Sequence, residues 1–400
     1  MKILHVTPSY LPAWHLGGVV QSISQLCQGL SRLGHEVTVF TTDSGKDQRM
    51  AVPVNREVEV SGVNVYYFKT DYSLKYAYSQ ALKQACDTSM KNFDIVHVTS
   101  FWCYPGIPAV TGALRHRVPY LVSVRGTLRR AALNHKLLKK WLYFYAIEKR
   151  NVKRAAAIHY TAAMERELDA FHGFSVPSFI LPNGFNITEF QEMGDSHEAK
   201  SILGVPPGHK VITFLGRLNP VKALDVLIRA MAEDSLKEQE FQLLLAGPDD
   251  GVEASLRHMV NALNLKDRVR FLGRVDSRER QTLLAASDIL ALVSRDENFG
   301  NAAVEAMLAG VPVLLSQHVG ISREVLADGA GVVVPLTAEA IAQALRSMLS
   351  DPNRLRAMGK TAAASSRGRY DIALVAQKMA SAYENILTGR RSPGLGWSEN

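Results

Sequence analysis

Short apolar runs alternate with amphipathic stretches along most of the chain. The run at residues 2–7 is followed by an amphipathic stretch at 19–33 and then by a second apolar run at 36–41. Strands that alternate with helices form parallel sheets with helices on both faces, because a crossover helix joins neighbouring parallel strands. The pattern therefore predicts an α/β fold built from doubly wound parallel sheets.

The same alternation continues to residue 387. Further predicted strands lie at 63–68, 94–98, 120–124, 155–160, 210–215, 241–246, 269–272, 289–293, 311–315 and 331–335. Further predicted helices lie at 108–115, 164–171, 223–231, 277–286, 301–309, 338–349 and 372–387. Residues 195–208 are predicted to be a polar, proline-containing loop, and 388–400 a disordered tail rich in Gly, Pro, Ser and Arg.

Length and composition indicate an ordinary globular chain of two domains. Its 400 residues exceed one ordinary core, and the α/β pattern begins again after a proline- and glycine-punctuated connector, so we expect a boundary near Asn183. The three cysteines are far apart in the sequence and odd in number, which argues against a disulfide framework or a metal cluster. Their pattern is typical of a protein in a reducing compartment. With no signal peptide and no apolar run of about 18 residues, we expect a cytoplasmic protein.

Two carboxylates and a helix start lie close together in residues 294–310, which read S-R-D-E-N-F-G-N-A-A-V-E-A-M-L-A-G. Glu297 follows a buried strand, and Glu305 lies about one turn into the predicted helix. The first amides of that helix have no intrahelical partner and favour an anion. They belong to Phe299, Gly300 and Asn301. A nucleotide sugar, anionic and rich in hydroxyls, suits this stretch; alternatively, the acids only complement the helix dipole or face solvent.

Cations and glycines follow the strands of the second half. Arg217 and Lys222 come just after the strand at 210–215, at the sheet edge where Glu297 is expected. Two cations there could neutralise a diphosphate, and arginine can do so bidentately; alternatively, they are ordinary surface charges. Three strand ends carry a glycine, which lets a ligand approach the backbone closely. These are Gly216, Gly247 and Gly273.

The first half offers fewer candidates. Gly17 and Gly18 lie at a loop–helix junction, but they do not match the dinucleotide fingerprint G-x-G-x-x-G, and a tight turn would also explain them. His97 and Arg125 fall at or near the carboxyl ends of strands, where such sheets bind ligands. A lone histidine at this place is more often a hydrogen-bonded structural residue, so His97 is open to both interpretations.

A basic segment rich in aromatic residues covers residues 125–154. It carries ten Lys and Arg against the single acid Glu148, interleaved with Trp141, Phe144 and Tyr145. Such a helix could lie on an anionic membrane surface. The commoner alternative is a core-facing aromatic stripe with a solvated basic back. Nucleic acid is not expected as a partner, because the sequence contains none of the known binding modules.

On its motifs, the chain resembles retaining glycosyltransferases of the GT-B fold, specifically glycosyltransferase family four. The motifs are G-G-V-V-Q-S-I-S-Q-L at 17–26, L-P-N-G-F-N at 181–186, F-L-G-R-L-N-P-V-K-A at 214–223, L-L-L-A-G-P at 243–248, V-R-F-L-G-R-V at 269–275 and the E-x7-E motif at 297–305. The resemblance implies two facing Rossmann-like domains with a cleft between them. Residues 1–182 would be the acceptor domain, joined by the helix at 372–387, and 183–371 the donor domain.

The resemblance also implies a role for each candidate residue. Arg217 and Lys222 would hold the donor phosphates, Glu305 the ribose hydroxyls and Glu297 the hydroxyls of the transferred sugar. The amides at the helix start would help to bind sugar and phosphate, and Gly17 and Gly18 would approach the phosphate or the acceptor. Two departures stand out: Arg125 replaces a histidine of many relatives, and Ala223 follows Lys222 where a glycine is usual.

The expected reaction is a retaining transfer of a hexosyl-type sugar from a UDP- or GDP-sugar to a hydroxyl acceptor, with no metal and no further cofactor. A saccharide on a lipid carrier, in polysaccharide assembly, is the acceptor expected by analogy. Two alternatives remain open: a glycoside hydrolase that uses Glu297 and Glu305, and a non-catalytic nucleotide-sugar-binding protein. A nicotinamide oxidoreductase is disfavoured because its glycine fingerprint is missing.

Overall fold

A computed structural model describes residues 1–45, 47–129, 137–170, 174–390 and 397–398, apart from the side chains of His15 and Leu137. The chain divides into two units, Met1–Phe185 with Ile372–Asn400, and Asn186–Asp371. The division falls between Phe185 and Asn186, next to the glycine that follows Asn183 in the connector.

The first unit is built on a mixed sheet. Its strands are β1 (Lys2–Val6), β2 (Glu36–Thr42), β3 (Glu57–Val60), β4 (Val63–Phe68), β5 (Ile95–Val98), β6 (Tyr120–Ser123), β7 (Ala157–Tyr160) and β8 (Ser178–Ile180). Within the described ranges they form one eight-stranded sheet in the order β3-β4-β2-β1-β5-β6-β7-β8. Pairing is parallel except at the edge, where β3 runs antiparallel to β4. The sequence did not predict β3, a four-residue edge strand that alternates Glu and Val.

Helices cover both faces of this sheet. In chain order they are α1 (Gly18–Arg32), α2 (Gln80–Ser89), α3 (Gly106–His116), α4 (Leu137–Tyr143), a π-helical turn (Phe144–Glu148), α5 (Lys149–Lys153) and α6 (Ala163–Glu167). One buried cluster contains Ile23, Leu26 and Leu30 of α1. A second lies among α2, α3 and the π-helical turn. The predicted doubly wound arrangement is therefore present in this unit.

The second unit contains a fully parallel sheet. Its strands are β9 (Lys210–Leu215), β10 (Phe241–Ala246), β11 (Val269–Gly273), β12 (Ile289–Leu292), β13 (Val313–Ser316) and β14 (Gly331–Val334). Six strands of the described chain pair in the order β11-β10-β9-β12-β13-β14. Its helices are α7 (Ser196–Ile202), α8 (Leu224–Met231), α9 (Glu253–Ala262), α10 (Ser277–Ala286), α11 (Asn301–Leu308), α12 (Ser322–Asp328), α13 (Ala338–Ser350) and α14 (Pro352–Tyr370).

The loop predicted at 195–208 is wrong, because α7 occupies its first half. The Asp195 side chain caps this helix by accepting hydrogen bonds from the backbone N–H groups of His197 and Glu198, each at 2.9 Å. Pro206 and Pro207 follow the helix and do not interrupt it. An aspartate before a run of helix formers was the signal that the loop interpretation neglected.

The last helix, α15 (Ile372–Thr388), belongs to the first unit, where it packs on α1. A Cβ atom on Gly29 would lie 2.9 Å from the Cβ of Ala376, so the two helices approach closely because this position is glycine. The predicted disorder of 388–400 is wrong for Trp397 and Ser398. The backbone of Ser398 exchanges hydrogen bonds of 3.0 and 2.9 Å with Ser178 at the sheet edge. Residues 391–396 and 399–400 lie outside the described residues.

None of the helices within the described ranges combines the length and the hydropathy needed to span a bilayer.

Candidate active site

The strand order of the second sheet reverses between β9 and β12. Strand β9 pairs with β10 on one side and with β12 on the other. In open parallel sheets, ligands bind at the carboxyl ends of the strands beside such a switch point. Lys222 follows β9 and Glu297 follows β12, so two of the three predicted catalytic residues, Arg217 being the third, come from the two strands that flank the reversal.

Lys222 and Glu297 form an ion pair between Nζ and Oε2. Each side chain is only 18% exposed, so the pair is largely shielded from water. A lysine ammonium carries three N–H donors and can bind an anion while it holds one carboxylate. The pair therefore presents a cation whose position is fixed by an acid, together with carboxylate oxygens that can accept hydrogen bonds from hydroxyls.

Arg295 joins the two loops that carry this pair. Its backbone N–H donates to the carbonyl of Val221 at 2.7 Å, and its Nη1 donates to the carbonyl of Pro220 at 2.6 Å. Its Nη2 forms an ion pair with Asp225 at 2.8 Å. These links from one residue hold the 3-10 turn Pro220–Lys222 and the start of α8 against the loop that carries Glu297.

The loop after β13 supports Glu297 from the other side. The Glu297 N–H donates to the carbonyl of His318 at 3.2 Å, and the Gly320 N–H donates to the Glu297 carbonyl at 2.9 Å. A Cβ atom on Gly320 would lie 1.9 Å from the carbonyl oxygen of Asn298. Only glycine permits this contact, so Gly320 is a structural requirement of the site that the sequence interpretation missed.

The start of α11 follows directly. Gly300 caps the helix with φ of 106°, in the left-handed region that favours glycine. Among the described residues, the backbone N–H groups of Phe299 and Gly300 donate to no acceptor. The Phe299 side chain is buried against Tyr370, with ring centroids 5.8 Å apart. Asn301 is the first residue of the helix. The helix start therefore offers two backbone N–H groups that can still donate hydrogen bonds, and both are close to Glu297 in the chain.

Glu305 is buried in α11 and paired with a residue that the sequence interpretation missed. Its Oε1 lies 3.0 Å from Nη1 of Arg280 on α10. The same guanidinium reaches Oε2 of Glu189 through Nη2 at 3.3 Å. Arg280 reads as a solvated helix residue in S-R-E-R-Q, and no local signal in the sequence distinguishes it from its exposed neighbours. Arg280 therefore gives the buried Glu305 side chain an ion-pair partner.

Arg217 lies apart from this pair. Its Nη1 pairs with Asp250 at 3.0 Å, and both side chains are about half exposed. Backbone bonds join the two loops, because Leu218 donates to Pro248 and Asp250 donates to Leu218, each at 2.9 Å. The structure therefore places the two predicted cations on the same loop but gives them different acidic partners.

The neighbour of Asp250, Asp249, stabilises a turn. Its Oδ1 accepts three hydrogen bonds from the backbone N–H groups at the start of α9. These hydrogen bonds lower the pKa of its carboxyl.

The three glycines at the strand ends line up across the sheet. Gly216 donates to the carbonyl of Ala246 at 2.9 Å, and Gly247 donates to the carbonyl of Gly273 at 2.7 Å. A Cβ on Gly247 would lie 1.9 Å from the Gly216 carbonyl oxygen, and one on Gly216 would lie 3.9 Å from Cε of Lys222. The glycines thus allow the strand ends to approach each other beside the lysine.

In the first unit, Gly17 and Gly18 stand at the start of α1, as the sequence suggested. Gly17 caps the helix with φ of 88°, and an added Cβ would meet no atom within 4 Å. The positive φ is the physical reason for glycine at this position. No described contact assigns either residue to a ligand.

Of the two interpretations left open for His97, the structure supports the hydrogen-bonded structural residue and not a contact to an acceptor. His97 is fully buried, with Nδ1 2.7 Å from the Tyr383 hydroxyl and Nε2 2.5 Å from Oγ of Ser123. Ser123 Oγ lies 2.6 Å from Nδ1 of His159, whose Nε2 donates to the carbonyl of Leu181 at 2.8 Å. Burial lowers the pKa of both imidazoles, so both are neutral at pH 7. Because the Leu181 carbonyl can only accept, each link of this chain then has a fixed direction.

Arg125 lies at the carboxyl end of β6, with φ of 50°. Its Nη1 donates to Ser22 Oγ at 2.8 Å and also to Oδ1 of Asn183. Burial lowers its pKa from 12.5 to about 10, which still leaves a cation at neutral pH. Its buried Nε has no hydrogen-bond partner among the described residues. Arg125 is therefore a cation with some of its N–H groups hydrogen-bonded and Nε without an acceptor. It lies near the carboxyl end of a strand, as the sequence predicted.

In the part of the chain that the structure describes, no cluster of three or more His, Cys, Asp or Glu side chains could hold a metal ion.

Known proteins resemble both units. The family described as "Glycosyl transferases group 1" matches residues 195–365, and the family described as "Glycosyl transferase 4-like domain" matches residues 17–184. A D-inositol 3-phosphate glycosyltransferase of Kineococcus radiotolerans is 30% identical over 394 residues, covering 91% of this chain and 90% of the relative.

Two solved structures share the fold. Sucrose-phosphate synthase from Thermosynechococcus elongatus aligns with a TM-score of 0.75 at 20% identity, covering 97% of this chain and 100% of the other. Anabaena Alr3699/HepE, solved in complex with UDP and glucose, aligns with a TM-score of 0.75 at 19% identity, covering 96% of this chain and 100% of the other.

Proposed function

The chain belongs to the group 1 glycosyltransferases of family four, which have the GT-B fold, and on that premise we propose that it transfers a sugar from a nucleoside-diphosphate sugar to a hydroxyl acceptor. The observation that carries the proposal is the Lys222–Glu297 pair beside the switch point of the second sheet. An ammonium suits a diphosphate and a carboxylate suits sugar hydroxyls, so the pair fits the two parts of such a donor. The related fold of HepE was solved with UDP and glucose, which supports the same donor class.

The other candidate residues extend this assignment. We assign the donor phosphates to Lys222 and Arg217 and the ribose hydroxyls to Glu305. The N–H groups of Phe299 and Gly300 would donate to the phosphate or to the sugar, since a helix start favours an anion. Asn301, at the first helical position, would contribute to the same contact.

We propose a front-side mechanism that retains the anomeric configuration. The acceptor oxygen bonds to the anomeric carbon as the bond from that carbon to the diphosphate oxygen breaks. The proton of the acceptor hydroxyl passes to the departing diphosphate. Lys222, Arg217 and the helix-start amides stabilise the charge that develops on the diphosphate. Because these groups supply the stabilising charge, we propose that transfer needs no metal ion.

We place the acceptor in the first unit and take it to be a saccharide, free or on a lipid carrier. Arg125 supports this assignment because it is a buried cation near the carboxyl end of a strand. Its Nε–H group has no hydrogen-bond acceptor among the described residues. An acceptor that carries a phosphate would suit it. The free cysteines Cys27 and Cys86 favour action in the cytoplasm, on the inner face of the membrane if the acceptor is lipid-linked.

A transferase assay on a panel of UDP- and GDP-sugars tests the proposal. It needs a pool of saccharide and lipid-linked acceptors, with product anomers read by NMR. We expect a product of retained configuration whose rate is unchanged by EDTA. Inversion would refute the front-side mechanism, and loss of rate in EDTA would refute metal independence. Release of sugar from a glycoside with no nucleotide sugar present would favour a hydrolase, and tight donor binding without turnover would favour a binding protein.

A further inference from the structure

An apolar stripe on the basic segment of the first unit faces outward. Four residues of α4 and the following π-helical turn, spaced at helical intervals, are between 45% and 71% exposed. They are Leu138 at 71%, Trp141 at 50%, Leu142 at 56% and Tyr145 at 45%. The rings of Trp141 and Tyr145 are paired, with centroids 4.5 Å apart. The interpretation of this stripe as core-facing is therefore wrong for these residues, although it holds for Phe144, which is buried.

Contacts on the inner side fix this orientation. Phe144 packs in the core of the unit, and the Tyr143 hydroxyl lies 3.3 Å from the hydroxyl of Tyr76. Glu148, at the end of the π-helical turn, accepts a hydrogen bond of 3.1 Å from the backbone N–H of Trp102. Because the inner face is anchored through packing and hydrogen bonds, the segment has no free rotation that would bury the stripe.

The segment that carries the stripe also carries exposed cations. Residues 137–154 contain six Lys and Arg and one acid, Glu148, which is buried. Nζ of Lys149 lies 4.5 Å from the centroid of the Tyr145 ring. Four cations of the segment are exposed. They are Lys139, Arg150, Lys153 and Arg154. The segment that carries the exposed Trp, Tyr and Leu side chains is therefore positively charged, and no acid of these residues is exposed.

We propose that this face docks on an anionic lipid bilayer, with Leu138, Trp141, Leu142 and Tyr145 inserted at the level of the headgroups and the cations on lipid phosphates. Tryptophan and tyrosine are enriched at that depth, and a basic amphipathic helix lies in the interface plane. Lysine, in contrast, is depleted from protein–protein interfaces, which makes a protein partner a poorer fit. The segment would lie on the membrane without spanning it. The inference goes beyond the proposed transfer reaction and does not rest on it.

Flotation with vesicles tests the docking face without any nucleotide sugar. The full chain is mixed with vesicles of phosphatidylcholine alone or with about 30% phosphatidylglycerol, a fraction that gives a negative surface potential. We expect the wild type to float only with the anionic vesicles. Leu142→Glu should lower binding about tenfold, since it replaces an inserted apolar side chain with a charge. Lys153→Gln should lower it about fivefold.

Two matched variants control for surface charge and folding. Ile202→Glu and Leu326→Glu introduce the same charge at residues of the second unit that are 67% and 63% exposed, and they should float like the wild type. Circular dichroism should show Leu142→Glu folded. The proposal is overturned if the wild type stays unbound, or if Leu142→Glu floats equally well. It is also overturned if the wild type is a dimer that Leu142→Glu converts to a monomer without any vesicle binding, because a second copy would then cover the stripe.

Discussion

The ammonium of Lys222 contacts the carboxylate of Glu297 across the strand reversal of the second sheet, although 75 residues separate them in the sequence. Because each residue follows a different strand, the sheet itself brings this cation and this acid together. Arg295 then joins the Lys222 loop to the Glu297 loop, and Gly320 joins the loop after β13 to Glu297, both through backbone contacts. We regard this pair as the centre of the donor site.

Removing either member of the pair should abolish most of the transfer. We expect Lys222→Ala and Glu297→Ala each to lower kcat about 100- to 1,000-fold, the usual effect of losing one stabilising group in the transition state. Initial rates with the active donor would measure the loss, and thermal melting would show that the fold persists. Lys237→Ala is a matched control, because it breaks the exposed Lys237–Asp234 pair of the same unit. Near-normal rates in both variants would show that Lys222 and Glu297 do not take part in the transfer reaction.

Arg280 should affect donor binding indirectly, by holding the Glu305 carboxylate in position. We expect Arg280→Ala to raise KM for the donor about tenfold with a smaller effect on kcat, because Glu305 loses the charged hydrogen bond that orients it toward the ribose. Arg280→Lys should restore part of the loss, since lysine keeps the charge but makes a single contact.

A donor that lacks the ribose 2′-hydroxyl separates this positioning role from a general structural one. The effect of Arg280→Ala should shrink with that donor, as should the effect of Glu305→Ala. Equal effects on both donors would mean that Arg280 only supports the fold.

Ala223 carries a backbone conformation that glycine adopts more easily. Its φ is 52°, and it caps α8 directly after Lys222. We expect Ala223→Gly to remove about 1–2 kcal/mol of left-handed strain. The added freedom of the unfolded chain costs about 0.4–1 kcal/mol, which leaves a net gain of up to about 1.6 kcal/mol.

Urea unfolding measures this difference. Ala364→Gly, at an exposed position inside α14, is the matched control and should lower stability by about 1 kcal/mol. A loss of the same size in Ala223→Gly would show that the left-handed conformation carries no strain.

The buried histidines should make the protein sensitive to acid. Burial lowers the pKa of His5 and of His159 to about 3, and it lowers that of His97 well below 6.5. The unfolded chain therefore binds more protons than the folded chain once the pH falls below about 6.5. Stability should be lost as the pH falls through this window, by up to about 4 kcal/mol for each pH unit when all three histidines contribute.

Urea midpoints at pH 7, 6 and 5 test this expectation. His97→Asn removes one titrating group, so it should reduce the pH dependence by about a third, whatever its effect on stability at pH 7. The same pH dependence in the variant and the wild type would show that His97 is not the group that titrates.

The sequence identified most residues of the proposed donor site because their local chemistry is visible. Glu297, Glu305 and the helix-start amides share one strand–loop–helix unit, and Lys222 follows a strand whose position in the sheet can be inferred from the α/β alternation. Arg280 could not be predicted, since its role depends on α10 and α11 lying side by side. The role of His97 stayed open in the sequence because a strand end identifies the edge of a sheet, but not whether the last side chain points to solvent or into a buried network.

The basic segment also shows what a sequence pattern cannot predict. The pattern of Trp141, Phe144 and Tyr145 identified an aromatic helix, but periodicity cannot distinguish the stripe that packs inward from the one that faces water. Only the packing of Phe144 and Tyr143 on the rest of the unit decides it. Likewise, α7 was missed because the prolines after it were given more weight than the capping aspartate before it.

Direct binding of nucleotides to the full chain tests the central claim most directly. Thermal melting with UDP, GDP, ADP and the corresponding sugar nucleotides should show one nucleoside diphosphate and its sugars raising the Tm of the wild type. At 100 times Kd the ligand should add about 2.7 kcal/mol of stability. The shift should disappear in Lys222→Ala and shrink in Glu305→Ala, while Lys237→Ala keeps it. If no nucleotide shifts the wild type, or if Lys222→Ala responds equally, the donor site does not lie at the Lys222–Glu297 pair.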